Sequence, residues 1–201
     1  LGWSPGLRHR MAMAMCLLVG LLGSACSSPR PDEGHYLERL VADRAAKDRE
    51  FGGPSSLVPL DRRSWMVPLH YYGPNLSYRV PAQLQVGETQ PIFEIPTSTG
   101  QLRTVQRVGT LKFRLKGEAM TLAALVEIPA QNANHLFIPF RDDTSGGETY
   151  AAGRYIDLPN TRTGIYDLDF NRAYHPYCYF NEDYECPFPP PENRLSIEIL
   201  A

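Results

Sequence analysis

VGTLKFRLKGEAMTLAALVEI, residues 108–128, is the stretch whose reading decides the fold. Leu111, Phe113 and Leu115 alternate with Lys112, Arg114 and Lys116, a period of two that buries one face of a strand and wets the other. Gly117-Glu118 suits a two-residue hairpin turn, because glycine reaches positive φ without strain, and Met120 to Ile128 returns as the partner strand. The basic stripe reads as a solvated outer face that discourages edge pairing; the rival reading is a grip on an anionic glycan or lipid headgroup.

Working outward, Tyr78 to Val86 and Pro91 to Ile95 alternate in the same way, with a turn at Thr97-Ser98-Thr99-Gly100. His135 to Arg141, HLFIPFR, is apolar on both faces, as a central strand is. Asp142 to Gly153 turns the chain into a strand beginning at Arg154, and Ile165 to Asn171 sets Tyr166, Leu168 and Phe170 against Asp167, Asp169 and Asn171. The predicted architecture is mostly β, an antiparallel sandwich or barrel-like sheet. With 18 prolines and 16 glycines in 201 residues, many turns and short elements are expected.

Towards the N-terminus, Ser55 to Asn75 carries prolines 59, 68 and 74 and reads as an irregular strap. Glu33 to Phe51, with Leu37, Leu40, Val41, Ala45 and Phe51 apolar and Gly52-Gly53-Pro54 behind, reads as an N-terminal amphipathic helix. Residues 33–201 are expected to form a single β-rich domain. Met11 to Ala25 is an apolar run behind Arg8 and Arg10, too short to span a bilayer and of the right length for a signal peptide over residues 1–25. Gly23-Ser24-Ala25-Cys26 resembles the bacterial lipoprotein box, which makes Cys26 the lipidated first residue and 26–32 a polar tether. The alternative is plain secretion after Ala25. Leu1 points to an alternative start codon or a fragment. The expected location is the cell envelope, membrane-anchored and facing the periplasm or exterior.

The net charge of −2 excludes the basic excess typical of nucleic-acid binders. The glycines of 142–153 lack the GK[ST] ending of a phosphate loop, and no G-x-S-x-G elbow occurs. No cofactor is implied. Arg154 shares a strand face with Ile156 and Leu158, and Asp142 with Leu136, Ile138 and Phe140, so both charges lean inward and need partners. Either Arg154 is an internal clamp on Asp142 or Asp169, or it holds a ligand carboxylate or phosphate. Asp142, Glu148, Tyr150, Arg154, Asp169, Asn171 and Tyr174 form the candidate pocket. Its ligand would be a small molecule or envelope polymer. Two of Asp142, Glu148 and Asp169 would be acid and base if the protein were a hydrolase acting on an envelope glycan or ester. A purely structural envelope protein is the remaining reading.

Cys178 and Cys186 stand with seven residues between them in a segment dense in aromatics and prolines. In an oxidising compartment such a pair is expected to form a disulfide. Two rivals stay open: a metal site of His175, Cys178 and Cys186, and a catalytic thiol with His175 as base.

The phrases VGTLKFRLKGEAMTL, HLFIPFRDDTSGGETYAAGRYIDL and DFNRAYHPYCYFNEDYECPFPPPENRL resemble domain-of-unknown-function family 1684, from about Gly52 onward. Matching positions are Asp142, Thr144, Gly146, Thr149, Tyr150, Gly153, Arg154, Tyr155, Asp169, Asn171, Tyr174, Cys178, Cys186 and Asn193. The family pattern has Asn where His175 stands, which counts against a family-wide role for that imidazole. The resemblance implies that members outside the envelope also carry the cysteine pair, which weakens the disulfide reading and lends some support to metal or thiol chemistry. It supplies no activity. Relatives continue beyond Ala201 with a Gly-Glu pair, so a short truncation is expected.

Overall fold

The computed structural model describes residues 31–129 and 134–201. The expected signal peptide, Cys26 and residues 26–30 of the expected tether lie outside the described residues. Pro31 and Asp32, assigned to that tether, instead open helix α1, Pro31–Gly52. Proline fits there because a first-turn residue needs no N–H partner.

The chain is mostly β. After α1 come the one-turn helix α2 (Arg63–Met66), then β1 (Arg79–Val86), β2 (Ile92–Pro96), β3 (Leu102–Leu115), β4 (Glu118–Glu127), β5 (His135–Phe140), β6 (Arg154–Pro159), β7 (Ile165–Asp169) and the short helix α3 (Tyr177–Phe180). The strands form one antiparallel sheet in the order β6-β5-β4-β3-β1-β7, with β2 pairing β3 beyond β1. β6 and β7, at its two ends, approach each other, so the sheet curls into a nearly closed barrel.

The β3–β4 hairpin forms as the alternation dictates. Leu111, Phe113 and Leu115 are buried while Lys112, Arg114 and Lys116 face solvent. The turn is shifted by one residue: Leu115 pairs with Glu118, and Lys116 and Gly117 occupy it with φ of 50° and 87°. Two positive φ values are what a right-twisted two-residue hairpin requires. Register slips between Arg107 and Gly109, and a Cβ on Gly109 would stand 2.2 Å from the Gln85 carbonyl oxygen, so only glycine lets β1 approach here.

Tyr78, Leu111, Leu122, Ile138, Phe140, Leu168 and Phe170 fill the barrel, joined by Leu195 and Ile199 of the C-terminal segment. β4 and β5 pair at one position alone, Leu125 with Phe137. Asn193 completes that joint: its Oδ1 accepts from Ala123 N at 2.6 Å and its Nδ2 donates to the carbonyls of Ala123 (3.0 Å) and Pro139 (2.8 Å).

α1 presents a different face from the one its apolar residues predict. Tyr36, Leu40 and Phe51 are buried, Arg44 and Lys47 half-buried, and Val41 is 56% exposed. Positions 36, 40, 44, 47 and 51 share one face of a 3.6-residue helix. Two cations therefore sit in the middle of the protein-facing side, a pattern that a search for apolar periodicity passes over.

Candidate functional site

Arg154 and Asp142 meet at 3.2 Å, both nearly sealed from water. Arg154 also donates to the carbonyl oxygens of Ile199 (2.8 Å) and Ala201 (3.1 Å), while Asp142 accepts from Ile199 N (2.7 Å) and Thr144 Oγ1 (2.9 Å). Burial lowers the guanidinium pKa, and Asp142 opposes that shift. The arrangement is a clamp fastening the 199–201 segment to the mouth of the barrel.

Asp169 and Asn171 form a second closed network. Asp169 accepts from Tyr36 Oη (2.8 Å) and from Asn171 N and Nδ2 (3.1 and 3.0 Å). Asn171 exchanges two bonds with the backbone of Asn75, at 2.7 and 2.9 Å. Tyr36, in turn, is pushed well above its ordinary pKa by burial and by its bond to Asp169. These bonds pin α1 and the strap to the end of β7.

Between α1, the strap and residues 173–180 lies a cavity of about 430 Å³. Glu148, Arg154, Asn171 and Tyr174 line it; Asp142, Asp169 and Tyr150 do not. Glu148 accepts from Tyr72 Oη at 2.8 Å, and burial with that bond pushes Tyr72 up to about 12. Tyr174 donates to Asp157 at 2.7 Å. Arg44 gives its two terminal nitrogens to the carbonyls of Tyr72 (2.7 Å) and Asn171 (3.0 Å), and stacks over Tyr71. Lys47 Nζ lies 5.4 Å above the Phe51 ring centroid and 5.1 Å above that of Tyr174, with no hydrogen-bond or ion-pair partner among the described residues. Desolvation lowers its pKa.

A second cavity, of about 920 Å³, opens on the other side of Lys47 and Tyr174, with Phe137, Tyr155, Tyr177, Tyr184 and Cys186 in its wall. The disulfide expected between Cys178 and Cys186 is not formed; both are free, buried thiols. The backbone N–H of Cys178 donates to Cys186 Sγ at 3.0 Å, so the two side chains meet as thiols around a hydrogen bond. His175 does not join them. Its Nε2 accepts from Tyr150 N at 3.4 Å and its ring stacks on Tyr179, 4.3 Å between centroids. Burial, with Arg154 and Lys47 near, drops His175 to about 4, so it is neutral at pH 7. Among the described residues no three His, Cys, Asp or Glu side chains converge as metal ligands.

Sequence reasoning missed Arg44, Lys47 and Tyr72. The first two look like ordinary solvated-face charges, and the signal that finds them is their spacing with Tyr36, Leu40 and Phe51.

Comparison with known proteins adds three findings. The model of a family described as "Protein of unknown function (DUF1684)" matches residues 67–201. An uncharacterised protein from gene locus rrnAC0354 of Haloarcula marismortui, solved by solution NMR, is similar to this chain at 35% identity and a TM-score of 0.66, over 85% of this chain and 94% of that one. No curated protein matches.

Proposed function

Because the chain belongs to the DUF1684 family of proteins of unknown function, we propose for it a role read from its own residues: a small-molecule-binding module for an anion with an apolar or aromatic portion, held on a membrane by lipid at Cys26. The observation that carries the reading is Lys47. An ammonium drawn out of water loses hydration, and a cation so placed ordinarily has a counter-charge. Here ring faces are its neighbours and the 430 Å³ cavity is beside it.

Two cations of the cavity wall keep capacity for an anion: Arg172 pairs with Asp43 at 3.1 Å and Arg154 with Asp142, while Arg44 and Lys47 have no carboxylate within ion-pair distance among the described residues, and Glu148 opposite them is held by Tyr72. Trp65, Tyr71, Tyr72 and Tyr179 supply flat apolar surface for the rest of the ligand. Acid–base hydrolysis has less support, since Asp142 and Asp169 are tied into closed networks and Glu148 stands without a second carboxylate of that trio in the cavity.

Calorimetry with phenyl phosphate, benzoate and inorganic phosphate tests the site. We expect phenyl phosphate to bind more tightly than phosphate and Lys47→Met to weaken it at least about tenfold, the worth of a charged hydrogen bond. Equal binding to Lys47→Met, or no binding of any of the three, overturns the reading. For the anchor, Cys26→Ser is expected to move the protein from the membrane pellet to the soluble fraction; retention in the pellet defeats that part.

A further inference from the structure

Cys178 and Cys186 lie outside the site just described, in one buried cluster with Tyr155, and one of them reaches the second cavity. Cys186 Sγ receives the Cys178 N–H, and the Cys186 N–H is held by Ser98 Oγ at 3.1 Å. A backbone donor aimed at Cys186 Sγ favours a negative charge on the pair. The interaction between the two thiols, first among the causes, brings Cys178 down to about 7 and holds its partner above the usual thiol range. The pair therefore parts with one proton readily and with the second reluctantly.

The two residues are 6% and 5% exposed, and the route to them is the 920 Å³ cavity, whose wall includes Cys186. We propose that Cys178 and Cys186 are a thiol–disulfide exchange site for a low-molecular-weight disulfide with neutral or cationic arms, entering through that cavity. The aromatic wall of Phe137, Tyr155, Tyr177 and Tyr184 accepts apolar arms. Arg103 is neutralised by Glu127 and Glu185, each at 2.9 Å. Glu50 and Asp157 then outnumber Lys47, which disfavours anionic arms.

The exchange runs in two steps. With one proton lost from the pair and the other drawn across to Cys178, the Cys186 thiolate at the cavity wall attacks R–S–S–R: a bond forms between Cys186 Sγ and one R–S sulfur, the R–S–S–R bond breaks, and one RS⁻ leaves and takes up a proton. Cys178 then attacks Cys186 Sγ, its proton passing to the second RS⁻ as that group departs. The protein gives up two electrons and two protons, and the disulfide becomes two RSH.

The test treats the full chain with cystamine, bis(2-hydroxyethyl) disulfide and dithiodiglycolate, followed by alkylation and peptide mapping to separate the pair from Cys16 and Cys26. We expect a Cys178–Cys186 crosslink in the folded protein, fastest with cystamine and slowest with dithiodiglycolate, with a rate about tenfold lower at pH 6 than at pH 8 as the thiolate fraction falls. Cys178→Ser is expected to trap a stable adduct on Cys186. Thiols that stay reduced in the folded protein and react only in urea overturn the proposal, as does a rate unaffected by pH. Where Cys178→Ser does not fold, the crosslink in the unsubstituted chain decides.

Discussion

Arg154 and Lys47 are two cations taken out of water a short distance apart, and the chain treats them oppositely. Arg154 has a carboxylate and two carbonyl oxygens around it, all supplied by the fold. Lys47 has two aromatic faces and a cavity. A planar fork with five donors can be held by a fixed set of acceptors, and the two terminal nitrogens of Arg154 are, while its Nε is buried without a partner. A compact ammonium on a flexible stem can wait beside empty space at smaller cost, because its pKa falls and its stem packs on apolar rings. The contrast separates a group that holds the structure from one that serves it.

The largest expected effect is on the holding side. Arg154→Ala leaves Asp142 charged, buried and short of its cation, and should cost about 3–5 kcal/mol in urea unfolding; a loss below about 1 kcal/mol would show that the clamp contributes little. Asn193→Ala strands the Ala123 and Pro139 backbone groups that its side chain satisfies, at about 2 kcal/mol. Acid acts on His175, whose pKa is about 4 when folded against an ordinary 6.5. The unfolded chain binds this proton more readily, so stability is full above about pH 6.5 and falls towards pH 4, by about 2 kcal/mol between pH 7 and 5. His175→Asn should flatten that slope; an unchanged slope would assign the acid sensitivity elsewhere. The smallest effect belongs to Lys47→Met, which removes no pairing partner and should change stability by less than about 1 kcal/mol while abolishing anion binding. A large loss of stability instead would place Lys47 with Arg154 as a structural cation.

The strands were legible because residues 111–116 and 165–169 alternate and their buried sides coincide with the pattern. Arg154 and Asp142 were legible as partners because each shares a strand face with buried aliphatic residues. α1 was legible as a helix but not in its orientation: the face it turns inward is interrupted by Arg44 and Lys47, and periodicity in apolar residues selects Val41 instead. The joint between β4 and β5 was hidden for another reason. A side chain from residue 193 does the work of a ladder, and long-range bonds of that kind leave no local signal in either strand. The cysteines were legible as neighbours. Their bonding state was not, since spacing reports proximity, and the backbone around them is held from a distance by Ser98, whose Oγ accepts from Cys186 N.

Asn193 closes the seam between two strands, and residues 199 and 201 take the hydrogen bonds of the Arg154 guanidinium. During synthesis every strand leaves the ribosome before these residues do. The barrel can gather but cannot lock until they arrive, so nascent chains stalled short of residue 193 should be open to protease along β4 and β5 and become resistant once that stretch has emerged.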